Sequence, residues 1–395
     1  MNIKATLSNP KARAGLKAAF LALALLLAFL AGREFHELRH YEETVVSAPG
    51  LTERKMLSDY LASLEGTWMD SPVFVYDSGV PGGSVFVMGN VHPYEPATSL
   101  AAYIIMENIK VSKGKVFVLP QGNRSASTTG MLANAYPKFF SVPTSFGAKK
   151  YRLGDRGTNP LDQWPDPFTY VNYPSRQNLA YQDIRNMNRT YPGRPDGTLT
   201  ERAAYAVMEL IRREKIDLAI DMHEASLMYP VVGTYVAHDR SFDLAMMAAM
   251  TLTAGSFDMK CESSPKGLRG LSHREWGDYS DTLAVLMETP EPFIDRVVGP
   301  MTEQLFTEGK DEFLDVAARH GLTYVPYSYE TGAPLWYRCG RHLSGALEAV
   351  AQMGAFFPEK EVLVEWPGYE ELKEHDCGYF LHDPGKADPK LVFKQ

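Results

Sequence analysis

The stretch Val85-Phe-Val-Met-Gly-Asn-Val-His-Pro-Tyr-Glu-Pro96 decides the fold. Four β-favouring apolar residues run into a Gly-Asn turn, and Pro96 suits the first position of a helix that the pattern carries to about Asn108. A second apolar run, Val116–Leu119, follows. Strand, helix, strand in this order predicts a parallel or mixed sheet. Further out, strands are expected at Val73–Tyr76, Asp217–Asp221 and Leu283–Met287. Helices are expected over Thr200–Glu214, with Thr200 as N-cap, over Phe242–Thr253, and over about 299–319. The fold class is therefore α/β: a mixed, mainly parallel central sheet flanked by helices, with a small C-terminal accessory lobe. Residues 121–198 show little periodicity, and so long an irregular stretch in a compact domain points to function.

Four segments follow from composition. Residues 1–33 are an export or anchor segment: Lys4, Lys11, Arg13 and Lys17 precede the uninterrupted apolar run 18–32. With no good cleavage pattern after the run, an uncleaved membrane anchor and a removed signal stand level. Either places the rest of the chain outside the cytoplasm. Residues 34–70 read as a stalk and a leading amphipathic helix built on Leu57, Leu61 and Leu64. Residues 71–320 are expected to form one α/β domain, and 321–395, with their Pro, Trp, Tyr and short runs such as Val362–Val364, the accessory lobe.

The 395 residues are 45% hydrophobic and 22% charged, enough for a sizeable core. A net charge of −8 argues against nucleic acid as a partner. Cys261, Cys339 and Cys377 are too few and too scattered for a disulfide framework or a cysteine zinc site. The 17 methionines, with Met246, Met247 and Met250 in one helix, read as core packing.

Two apolar strands end in metal-ligand residues, which is where open α/β sheets place their sites. His92 and Glu95 follow the first, and His223 follows Leu218-Ala-Ile-Asp221. Two His and one Glu with an open fourth position is the donor set of a hydrolytic zinc site, so one Zn2+ per chain is expected. The bare H-x-x-E pattern is weak, since His40-Tyr-Glu-Glu43 satisfies it in the stalk. Glu288 closes the strand Leu283–Met287 and suits a general base that activates water and then protonates the leaving nitrogen. Asn188 and Arg189 suit a carboxylate: the guanidinium gives two parallel hydrogen bonds and the amide a neutral donor. Glu224 reads as outer-layer or surface, and His273 and Asp278 as structural.

Taken together these motifs resemble the zinc carboxypeptidase superfamily, and their wording is nearest its succinylglutamate desuccinylase/aspartoacylase branch. The resemblance covers roughly residues 70–320. It rests on strand-G-N-x-H-x-x-E-P at 85–96, strand-D-x-H at 217–223, M-E-T-P at 287–290 and N-R-T-Y-P-G at 188–193. It implies that His92, Glu95 and His223 hold zinc, that Glu288 activates water, and that Asn188 and Arg189 hold the substrate carboxylate. It also implies a second arginine as oxyanion stabiliser. Arg124 and Arg176 compete for that role, with Arg185 a weaker third. A capping tyrosine is not identifiable: residues 255–275 contain none, Tyr279 lies too near the last strand, and the tail offers several.

The expected function is hydrolysis of an amide bond next to a free carboxylate, on a small acyl amino acid. The alternative is an extracytoplasmic carboxypeptidase acting on peptides such as those of the cell wall. A third reading is a carboxylate-binding module of the same fold that has lost catalysis.

Overall fold

The computed structural model describes residues 9–130, 137–294 and 300–395. Contacts divide the chain into two units, Met1–Tyr41 and Glu42–Gln395. In the first unit, Pro10–His40 is one helix, α1, capped by the Asn9 side chain on the backbone N–H of Lys11. Its 31 residues reach about 46 Å at 1.5 Å per residue. It is long and apolar enough to cross a membrane, and its apolar window is wholly exposed. Of the basic residues that precede the apolar run, Lys4 lies outside the described residues.

The second unit is built on eight strands: β1 Glu53–Met56, β2 Pro72–Asp77, β3 Ser84–Met88, β4 Lys115–Leu119, β5 Leu218–Ser226, β6 Thr234–Ala237, β7 Lys260–Ser263 and β8 Leu283–Glu291. They lie in the order β7-β6-β8-β5-β3-β4-β2-β1. The central block β4-β3-β5-β8 is parallel, β6 pairs antiparallel with β8, and β1 and β2 close the far edge antiparallel. The expected mixed, mainly parallel sheet is present.

Helices cover both faces. On one, α2 (Pro96–Asn108), α4 (Phe242–Gly255) and α8 (Leu335–Phe356) pack over Val85, Val87, Ile220, Met222, Val285 and Met287. On the other, α3 (Leu199–Arg213) and Trp276 of α5 (Ser272–Asp278) meet Phe86, Met88, Ala219 and Ala284. The alternation of these partners along each strand is the period-2 rule at work. It puts Asp221 and His223 on the α3/α5 side, and Met222 and Glu224 on the α8 side.

Several expectations are corrected. Helix α3 starts at Leu199, because Thr198 and Glu201 form a reciprocal capping box. Thr200 instead turns its hydroxyl to Gln163 and Thr158. The leading helix over Leu57–Leu64 is a pair of 3-10 turns, since Leu61 takes an extended conformation (φ −150°, ψ 100°) between them. Nor is 34–70 a stalk. Residues 34–40 continue α1, and Thr44–Val46 pairs with Val392–Lys394 at the C-terminus. The buried Glu43 carboxylate binds Arg152 at 2.6 and 2.9 Å. The helix expected at 299–319 is two, α6 (Glu303–Glu308) and α7 (Glu312–Arg319), separated by left-handed Gly309 and a new N-cap at Asp311; residue 299 lies outside the described residues. Residues 321–395 are no separate lobe either, because Leu335, Cys339, Leu343, Ala346 and Met353 of α8 share one core with the sheet. The last helix, α9, spans Tyr369–His375.

Replacing Thr198 by Ala removes the acceptor for the Glu201 N–H and is expected to cost about 1 kcal/mol in urea unfolding. An unchanged midpoint would show that the box does not hold α3.

Candidate metal centre

Strand β3 pairs with β5 from Leu218↔Val85 to Asp221↔Met88 and then stops. β5 continues beside β8 alone, from Met222↔Met287 to Ser226↔Glu291. The space opened by the departure of β3 is where the site forms. Gly89 and Asn90 turn the chain away. A side chain on Gly89 would lie 2.4 Å from the Thr98 carbonyl of α2, so the close helix approach requires glycine. Asn90 takes φ +60°, a conformation Asn tolerates; its N–H donates to Thr98 Oγ1 at 3.0 Å and its amide to Ser127 Oγ at 2.9 Å.

His92 and Glu95 sit on the next turn, closed by Glu95 N–H to the His92 carbonyl at 2.9 Å. His92 Nδ1 lies 2.7 Å from Glu95 Oε1, and His223 Nδ1 lies 3.2 Å from Glu95 Oε2. The ligand atoms of the three residues all fall within 4.8 Å of one another, and all three residues are buried. Each imidazole turns its other nitrogen to an outer oxygen: His92 Nε2 to Asn186 Oδ1 at 2.9 Å, His223 Nε2 to Asp221 Oδ2 at 3.0 Å. The Asn186 oxygen holds His92 Nε2, an outer contact of the kind that orients a metal-binding imidazole; the Asp221 carboxylate lies beside His223 Nε2 without hydrogen-bond geometry. Burial alone would raise the Glu95 carboxyl, but His92 and His223 hold it well below the ordinary range. Two imidazoles and a carboxylate converging on one buried centre fit a zinc ion.

Glu288 is the register partner of His223 across β5 and β8, so both side chains leave the same face of the sheet. Its Oε2 is buried without a hydrogen-bond partner. Confinement in the cavity wall pushes its carboxyl up to about 8. A cation at the neighbouring centre counters that push.

These groups line a cavity of about 430 Å³ together with Tyr94, Arg156, Asn188, Arg189, Tyr229 and His273. The turn Met187–Arg189 is fixed by Asn186, whose Oδ1 accepts the Asn188 N–H at 3.0 Å. Asn188 Oδ1 accepts from Ser272 N at 2.8 Å, and Arg189 Nη1 donates to the Asn188 carbonyl at 2.7 Å. Burial, followed by the nearby Arg156, lowers the Arg189 guanidinium. Arg156 is exposed as a residue, and its guanidinium donates to Tyr94 Oη at 3.1 Å. The Tyr94 ring stacks on His92.

The structure thus brings together His92, Glu95, His223, Glu288, Asn188 and Arg189. It does not bring Arg124 or Arg176 to the cavity: Arg124 lies over Trp68, and Arg176 is exposed in a left-handed turn. Arg185 pairs with Asp166 instead. Arg156, unnoticed in sequence because it sits in the irregular stretch, occupies the cavity. Tyr94 and Tyr229 line it, and no tyrosine of residues 321–395 does. Asp221 was legible from D-x-H, which puts both side chains on one strand face; Asn186 carried no signal. His273 holds Ser264 Oγ at 2.7 Å, and burial pushes its imidazole down to about 3. Asp278 pairs with His238 and Arg269.

Glu224 has a larger part than its sequence position suggested. Its N–H donates to Glu95 Oε2 at 3.0 Å, and its Oε2 accepts the Ala97 N–H in the first turn of α2 at 2.8 Å. Its Oε1 lies 2.7 Å from Arg338 Nη1, both side chains having no exposed area. Arg338 also donates to the carbonyls of Ala333 and Phe306.

No protein-family description matches the chain, and no curated protein matches it. Among solved structures, it is similar to the product-bound ectoine utilization protein EutE from Ruegeria pomeroyi, at 21% identity and TM-score 0.35, over 55% of this chain and 53% of that one. It is similar to a succinylglutamate desuccinylase/aspartoacylase from Rhodobacter sphaeroides at 17% and 0.34, over 63% and 58%. It is also similar to a metallo-carboxypeptidase from Burkholderia cenocepacia at 10% and 0.43, over 78% and 66%. The match spans little more than half the length of the first two.

Replacing Arg338 by Met strands the buried Glu224 carboxylate and is expected to cost about 3–5 kcal/mol in denaturant unfolding. The double variant Arg338→Met/Glu224→Gln should recover most of that. A single variant as stable as the parent would refute the coupling.

Proposed function

We propose that the chain is a zinc-dependent hydrolase that cleaves an amide bond next to a free carboxylate, as an N-acyl amino acid deacylase. The observation that carries this is one cavity uniting a His92–Glu95–His223 donor set, a carboxylate at Glu288 in register with His223, and the guanidinium groups of Arg156 and Arg189. His92, Glu95 and His223 hold the zinc, which when bound supplies Lewis acidity towards a carbonyl and makes water a stronger acid.

The chain's own groups do the rest. Arg189 takes the substrate carboxylate through its guanidinium and Asn188 adds its amide, which places the scissile carbonyl at the donor set. Arg156 faces the carbonyl oxygen as negative charge develops on it, the role expected of Arg124 or Arg176. Glu288 accepts a proton as the water oxygen bonds to the carbonyl carbon. It returns that proton to the nitrogen as the carbon–nitrogen bond breaks, leaving an acid and an amine. Tyr94 holds Arg156 in place.

The second reading, a carboxypeptidase acting on peptides outside the cytoplasm, draws on α1, which is apolar and long enough to serve as an anchor or signal. The chemistry is the same for both, and the substrates differ in what is joined to the carboxylate-bearing residue.

Glu288→Gln is expected to lower kcat on N-acyl amino acids or short peptides by about 10²–10⁴-fold with zinc content unchanged. Unaltered turnover contradicts the mechanism. Arg189→Met should act on binding, raising KM roughly 10–100-fold for substrates with a free carboxylate. No effect on amidated analogues is expected, and an equal loss on both would remove Arg189 from the carboxylate site. A zinc-loaded parent that binds carboxylates and hydrolyses none of these substrates would point to the binding-module reading.

A further inference from the structure

Beyond the catalytic groups, the cavity holds one more acid. Strand register places it: Asp221 pairs with Leu286, Leu286 with Val236, and Val236 with Glu262. These four stand in one cross-strand row on one face of the sheet. The neighbouring row begins with His223 and Glu288. Leu286, Val236 and Glu262 all line the cavity. Neighbouring strands lie about 4.8 Å apart, so β7 carries Glu262 to roughly 10 Å from the β8 backbone that bears Glu288.

Glu262 differs from Glu95 and Glu224, and shares with Glu288 the lack of a polar partner. Glu95 is tied to two imidazoles and Glu224 to Arg338, whereas Glu262 has no hydrogen-bond or ion-pair partner among the described residues. It also stands on the carboxylate side. The Arg189 backbone packs on Gly270, where an added side chain would lie 2.1 Å from the Arg189 carbonyl. Asn188 Oδ1 accepts the Ser272 N–H, and His273 is joined to Ser264, two residues beyond Glu262. Pro265, Leu268 and Leu271, from the segment that joins β7 to α5, give the cavity an apolar lining.

We propose that Glu262 selects substrates whose carboxylate-bearing residue carries a long, positively charged side chain, a basic amino acid linked through its α-nitrogen. The carboxylate sits on Asn188 and Arg189, the methylenes lie along Pro265, Leu268 and Leu271, and the cationic head meets Glu262. This rests on the assignment of Asn188 and Arg189 above and adds the class of residue released. An unpaired acid in the same cavity as the cationic Arg189 is complementary to a molecule with both charges, and leaves an uncompensated carboxylate when the side chain is neutral.

Calorimetry on the zinc-loaded full chain carrying Glu288→Gln tests this, with lysine and its uncharged isostere norleucine as probes. Lysine is expected to bind at least about 10-fold more tightly. Adding Glu262→Gln, a change on a half-buried edge strand, should bring the two to parity by weakening lysine alone. Equal binding in the Glu288→Gln chain, no binding of lysine, or a preference that survives Glu262→Gln overturns the proposal. A lysine preference in a parent enzyme that hydrolyses neither N-acyl-lysine nor lysine-ended peptides would sink the hydrolase reading and leave this subsite standing.

Discussion

The N–H of Glu224 donates to a carboxylate of Glu95, and the rest of the site depends on that contact. Where β3 ends at Met88, β5 runs on with a strand neighbour on one side only, and a buried backbone donor there needs a partner. Glu95 supplies it. The same carboxylate meets both imidazoles, so the edge of the sheet and the donor set are satisfied by one side chain. This couples strand topology to chemistry: a different length for β3 would close the space, and a different register between β5 and β8 would separate Glu288 from His223.

Glu95 opens helix α2 but does not cap it, which leaves the first-turn N–H of Ala97 to Glu224. The charge so buried is balanced by Arg338 from α8. Buried pairs of this kind are poor sources of net stability yet costly to break singly. The effect here is to lock α8 against the two segments that carry the proposed ligands. For that reason the last quarter of the chain, which reads as an appendage, is part of the site's foundation.

The parallel centre of the sheet was legible because each strand is a short apolar run followed by polar ligands, and Pro96–Asn108 was bounded by Pro96 and by the end of its apolar pattern. Besides the C-terminal segment, four elements depart from the sequence pattern, each for a local reason. Leu61 is extended between two 3-10 turns, so the apolar spacing of Leu57–Leu64 does not become one helix. Gly309 breaks a pattern that continues in hydrophobicity across α6 and α7. Thr198 outcompetes Thr200 as cap because Glu201 answers it. Glu43 anchors a segment whose charges resemble a solvated stalk. Within the site, the proposed ligands and Glu288 lie next to strands, where the sequence pattern could point to them. Arg156 was not, since it lies in an irregular stretch whose course is set by tertiary contacts such as Arg152 with Glu43.

The central claim is that His92, Glu95 and His223 form a metal centre, and metal analysis of the purified full chain tests it most directly. The account requires close to one zinc per chain after equilibration with zinc and removal of loosely held ions. It also requires loss of that zinc in a folded His92→Ala/His223→Ala variant. A parent chain that retains no zinc, or a double variant that retains as much as the parent, would contradict it.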